Sequence, residues 1–89
     1  MKFYCIADED TVRGFALAGV EGEAVADAKA AAAALSRASA QSEYGVIILT
    51  ESTASLIRAQ VDSMRLELPR PLIAEITGPD NGFFYEKRS

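Results

Sequence analysis

Val46-Ile47-Ile48-Leu49 is an unbroken apolar run, set between Tyr44-Gly45 and Thr50-Glu51. A strand with one wet face alternates polar and apolar residues. A strand with no polar interruption is covered on both faces, and the usual way to cover both is a parallel sheet between helices. The run Phe3-Tyr4-Cys5-Ile6-Ala7 has the same character, and Leu72-Ile73-Ala74-Glu75-Ile76 follows late in the chain. The segments between these strands read as helices. Asp10 or Glu9 can cap a helix from about Thr11 to Ala18, where acids suit the positive end of the helix dipole, and Gly19 is a left-handed stop. Ala18 to Glu21 offers a short strand, with Gly22 as its turn.

From Glu23 to Ala40 the chain is alanine-rich, and alanine has the highest helix propensity, so a long helix is expected there. Ala24, Ala28, Ala31 and Leu35 line one side, with Val25 and Ala32 beside them and Asp27 and Lys29 towards solvent. Thr50 is a good N-cap for a further helix. In it Ala54, Ile57, Val61, Met64 and Leu68 recur at spacings of 3, 4, 3 and 4 as one amphipathic stripe. Arg58 and Asp62 form an i,i+4 pair of minor value, and no buried ion network is indicated. Pro69-Arg70-Pro71 ends the helix and forces extended backbone. The order is β-α-β-α-β-α-β. Parallel strands need crossover connections, so the expected architecture is α/β, a small four-stranded parallel open sheet of Rossmann or flavodoxin-like type. That domain spans residues 1–79, and 80–89 form a short tail.

Composition excludes several chemistries. The chain has 89 residues, no histidine and one cysteine, with 9 Lys+Arg against 13 Asp+Glu. Without histidine there is no Ser-His or Cys-His nucleophile system, no histidine acid–base catalysis and no zinc site of ordinary ligation. The net charge of −4 and the lack of a basic stripe argue against nucleic-acid partners. One cysteine makes no disulfide framework and fits a reducing compartment. Cys5, inside a buried strand with nothing nearby to lower its pKa, reads as an inert core thiol. No run approaches the roughly 18 apolar residues of a membrane span, and Asp8-Glu9-Asp10 interrupts the apolar start too early for a signal peptide.

In open α/β sheets, ligands bind beyond the carboxyl ends of the strands. Asp8-Glu9-Asp10 and Thr50-Glu51 fall there. Acids after the first strand also occur in response-regulator receivers, so a stand-alone receiver-like ligand- or partner-binding signalling domain is the alternative reading. A receiver needs an aspartate after the third strand, where this chain has Thr50, and a lysine after a later one, where Thr77-Gly78 stands. No Gly-x-Gly-x-x-Gly or Gly-x-x-x-x-Gly-Lys-Ser/Thr loop is present, and no cofactor is expected. Gly78-Pro79-Asp80-Asn81-Gly82 is turn chemistry in series. The three aromatics that follow, Phe83-Phe84-Tyr85, must fold back on the domain or dock on something else.

Three segments together resemble the F subunit of V-type (A/V-type) ATP synthases and ATPases. These are Ile6-Ala7-Asp8 followed by Gly14-Phe15-Ala16-Leu17-Ala18-Gly19-Val20, then Gly45-Val46-Ile47-Ile48-Leu49-Thr50-Glu51 leading to Ala54, Ile57 and Arg58, and last Pro71-Leu72-Ile73-Ala74-Glu75-Ile76 before Gly78-Pro79. The resemblance covers about Met1 to Pro79. It implies the same α/β domain in a non-catalytic rotor subunit on the central stalk, bound to the coiled-coil D subunit and turning within the hexamer of A and B subunits. It also implies a cytoplasmic protein held at the membrane only through the complex. Family members usually add a C-terminal helix that reaches the catalytic hexamer, and residues 80–89 do not resemble it. Catalytic, cofactor and metal residues are not expected. The interface candidates are Asp8, Glu9, Asp10, Arg13, Thr50, Glu51, Phe83, Phe84 and Tyr85. Open strand edges and the aromatic tail leave room for self-association of the isolated chain.

Overall fold

β1 (Lys2–Ala7) runs through the middle of the sheet, and its second half, Cys5, Ile6 and Ala7, is fully enclosed. In the computed structural model, which describes residues 1–77, it is followed by α1 (Glu9–Leu17), β2 (Glu21–Ala24), α2 (Ala28–Ser39), β3 (Tyr44–Thr50), α3 (Glu51–Leu56), α4 (Arg58–Glu67) and β4 (Leu72–Ile76). All neighbouring strands are parallel, in the order β2-β1-β3-β4, which is the open α/β sheet expected. The chain steps from β1 one way to β2 through α1, then the other way to β3 and β4. Crossovers of one hand in opposite directions place helices on opposite faces. On one face α2, α3 and α4 enclose Ile6, Ile47, Leu49 and Ile73. On the other, α1 brings Val12 and Phe15 against Cys5, Ala7 and Ile48.

Four local expectations change, each for a visible reason. The cap of α1 is Asp8, earlier than Asp10 or Glu9, because its side chain reaches the Thr11 amide at 3.1 Å and the Thr11 hydroxyl at 2.8 Å. At the far end Gly19, with φ 89°, allows a Schellman closure, in which the Gly19 amide bonds to the Ala16 carbonyl and the Val20 amide to Phe15. Residues 18–20 are thereby used by the helix exit. β2 therefore starts at Glu21 rather than Ala18, and Gly22 lies inside the strand instead of turning it.

The alanine-rich helix begins at Ala28, not Glu23. The Val25 amide still extends the sheet by bonding to the Ala7 carbonyl, and Asp27 is the N-cap, accepting from the Ala30 amide at 2.8 Å. Its buried face is consequently Ala31, Ala34, Leu35 and Ala38, while Ala24 and Ala28 are exposed. The third helical segment is broken at Ile57, with φ −132° and ψ 39°. Both backbone groups of Ile57 remain bonded: its amide donates to Ala54 and its carbonyl accepts from Val61. Ala54, Ile57 and Val61 stay in the core, but Leu68 is exposed on backbone that has already turned extended.

Candidate functional site

The topological switch point of the sheet lies between β1 and β3, where connections leave in opposite directions. Asp8 and Thr50 follow those two strands. Both side chains are occupied. Partial burial pushes the Asp8 carboxyl up, but the bonds from the Thr11 hydroxyl and amide outweigh it and hold the group below the usual aspartate range. Thr50 is fully buried. Its hydroxyl accepts from the Thr53 amide at 3.2 Å, donates to the Thr53 hydroxyl at 2.9 Å and lies 3.3 Å from Ser52. A position that a receiver would fill with a phosphorylatable acid is here a helix cap.

The outer rim of this edge is polar and exposed. Arg13 reaches back along α1 to Asp10 at 3.3 Å and Glu9 at 3.7 Å, and Glu51 opens α3 on the other side of the switch point. Of the sequence candidates, Glu9, Asp10, Arg13 and Glu51 thus present side chains to solvent, while Asp8 and Thr50 hold the helices behind them. Phe83, Phe84 and Tyr85, and the boundary proposed at residue 79, lie outside the described residues. Among the described residues no group of three or more Cys, Asp or Glu side chains is placed to hold a metal ion. No helix among them is long and apolar enough to cross a membrane.

Cys5 is fully buried and unpaired, and burial first, then the negative charge of Asp8, pushes its thiol up to about 12. That is the inert core thiol expected.

Two polar clusters were not anticipated. Glu75 points to the helix-covered face, two residues from Ile73, and takes two hydrogen bonds from Arg58 at 2.6 and 2.9 Å and one from Arg65 at 2.9 Å. Arg65 also donates to the Ile73 carbonyl at 2.8 Å. The Arg58 bond is the largest influence on the Glu75 carboxyl; with Arg65 it overcomes partial burial and brings the pKa down to about 2. The cluster lies at the surface, with the two arginines 43% and 40% exposed, so it is not a buried ion network; Arg58 serves Glu75 first, and its Asp62 contact is longer, 3.7 Å. A signal did exist in the sequence. Arg58 and Arg65 are seven apart, hence on one helix face, and Glu75 shares the strand face of Ile73.

The second cluster holds β2 to the sheet. Tyr4 donates to Glu23 at 2.9 Å, Arg37 to Glu23 at 2.5 Å, Tyr44 to Glu21, and Lys2 to Glu21 at 3.4 Å, with the two tyrosine rings 4.7 Å apart. Burial and then the Glu23 bond push Tyr4 up to about 12, and the Glu21 bond raises Tyr44. These tyrosines stay neutral donors that fasten an edge strand.

The described residues thus form a three-layer α/β module whose polar groups at the switch point serve as caps. The sequence matches the family model of the ATP synthase (F/14-kDa) subunit over residues 4–89. The chain belongs to that family, the F-subunit family of V/A-type ATPases, whose members are non-catalytic accessory subunits of ion-translocating complexes. No individual curated protein matches it significantly.

Proposed function

We propose that this chain is the central-stalk rotor subunit of a V/A-type proton- or sodium-translocating ATPase or ATP synthase. It binds the coiled-coil D subunit, turns within the A/B hexamer and supports rotational coupling. It is cytoplasmic and meets the membrane only through the complex. The family match along nearly the whole chain carries this reading. The physical character of the module agrees with it. A stalk accessory needs a rigid body and an outer surface, and the switch-point groups that would do chemistry in other α/β proteins are here tied to their own helices.

The surface offered to the partner includes Glu9, Asp10, Arg13 and Glu51 at the carboxyl edge, positioned by the Asp8 and Thr50 caps, together with aromatic side chains from Phe83, Phe84 and Tyr85. Exposed charges of this kind steer and orient more than they bind, so the aromatics are the stronger contacts. The test is co-purification with the cognate coiled-coil subunit, followed by titration. A stable one-to-one complex is expected, weakened when Phe83, Phe84 and Tyr85 are replaced together by Ser. Unchanged affinity removes the tail from the interface, and no complex at all refutes the stalk assignment.

A further inference from the structure

α4 is occupied on three of its sides. Towards the sheet, Val61 is fully buried, Ile57 just ahead of the helix nearly so, and Met64 packs half-buried against the same core. On one flank Arg58 and Arg65 reach over to Glu75 of β4. On the other, the Gln60 amide donates to the Ala32 carbonyl at 3.3 Å and to the Ser36 hydroxyl at 3.2 Å, both on α2. The fourth side, opposite Val61, holds Ala59, Ser63 and Leu66, all exposed, Leu66 by 87%. Leu56, 49% exposed at the end of α3, stands three residues ahead of Ala59. The spacings of 3, 4 and 3 from Leu56 to Leu66 are those of an apolar helix–helix seam. A helix side turned to solvent normally carries charge. This one carries none, and its two leucines bracket small side chains over which another helix can approach closely.

We propose that this outer side, from Leu56 to Leu66, docks an α-helix of the coiled-coil partner, one whose apolar positions are bordered by Lys or Arg. The inference rests on the stalk reading for the class of partner and adds the face that receives it. Charge selects the occupant. The borders of the seam carry Asp62 and Glu67, both exposed, and no lysine or arginine; Arg58 and Arg65 lie farther round the helix, on the flank turned to Glu75. Asp62 meets Arg58 only at 3.7 Å. Acidic borders attract a helix with basic borders and repel a second copy of themselves. The size of the seam points the same way. Ten residues of helix run roughly 15 Å, too short to bury by themselves the ~1,200 Å² of a stable dimer. The seam is therefore one part of a larger contact, and it continues from Glu51, the first residue of α3, at the carboxyl edge.

Calorimetric titration of the full chain with the cognate coiled-coil subunit tests this. Leu66→Ser should weaken binding about tenfold, and Glu67→Lys should weaken it and make it less sensitive to salt. Leu17→Ser, which removes an equally exposed leucine at the end of α1, should leave the affinity unchanged. Leu17 and Leu66 are both almost wholly exposed, so neither serine variant loses core packing. Full affinity in both Leu66→Ser and Glu67→Lys overturns this face and leaves the stalk reading standing. An equal loss from Leu17→Ser also overturns it. So does self-association that Leu66→Ser abolishes in sedimentation velocity, which gives the face to a second copy. No complex with the wild-type chain refutes the stalk reading and this inference with it.

Discussion

Replacing Glu75 by Gln keeps the shape of the side chain and removes the charge that Arg58 and Arg65 share. The carboxyl is depressed from 4.5 to about 2 in the folded chain. A difference of that size corresponds to roughly 3 kcal/mol of stability at neutral pH if the whole shift is realised. The Glu75 side chain is only 19% exposed, but those of Arg58 and Arg65 are 43% and 40% exposed, so water and salt screen the cluster. A loss of about 1–2 kcal/mol is the expected result. Because the folded pKa is lowered, the contribution is fully present above 4.5, fades as pH falls below it, and is gone below about 2. Urea unfolding of both proteins across this range, read as wild type minus variant, cancels the other carboxylates they share. The difference should be flat above pH 5.5 or so, shrink steadily below 4.5 and fall further in high salt. A difference that is absent at pH 7, or that stays constant down to pH 2.5, refutes the argument that this ion cluster fastens β4 to α4.

Three further outcomes are expected. Gly22→Ala drives a methyl into the Cys5 backbone carbonyl and should lower stability by about 1–3 kcal/mol, whereas Gly14→Ala, in open space inside α1, should raise it by about 0.5–1 kcal/mol; paired urea midpoints check both signs. Asp8→Ala removes the α1 cap and should cost about 1 kcal/mol, with faster amide exchange confined to the first turn of α1. Cys5, buried with its thiol near 12, should resist alkylation at pH 8 until urea unfolds the chain, as mass spectrometry of timed reactions will show; rapid labelling of the native protein contradicts its placement.

Much of the fold was legible along the chain because the information is local. The apolar runs at residues 3–7 and 46–49 mark β1 and β3, whose segments Cys5–Ala7 and Ile47–Leu49 are buried. Thr50 and Gly19 announce a helix start and a helix stop through side-chain oxygen and positive φ. The family resemblance rests on these same segments. At the switch point the residue types were legible, but not that Asp8 and Thr50 would be consumed as caps, which depends on where each helix begins.

Taken alone, the sequence determined the alternation of strands and helices, the parallel sheet that alternation imposes, and the family to which the chain belongs. Tertiary structure decided the rest. Glu21-Gly22-Glu23-Ala24 has poor strand propensity and becomes β2 where its backbone pairs with β1, with Lys2, Tyr4, Arg37 and Tyr44, 14 to 23 residues away, bonded to its carboxylates. Glu75 is held by arginines 10 and 17 residues distant, and Phe3, Val46 and Leu72 stand in one row only through the sheet register. Caps and periodicity act within a few residues, so a linear reading finds them. Charge pairing and sheet register join distant segments, and only their assembly in space reveals them.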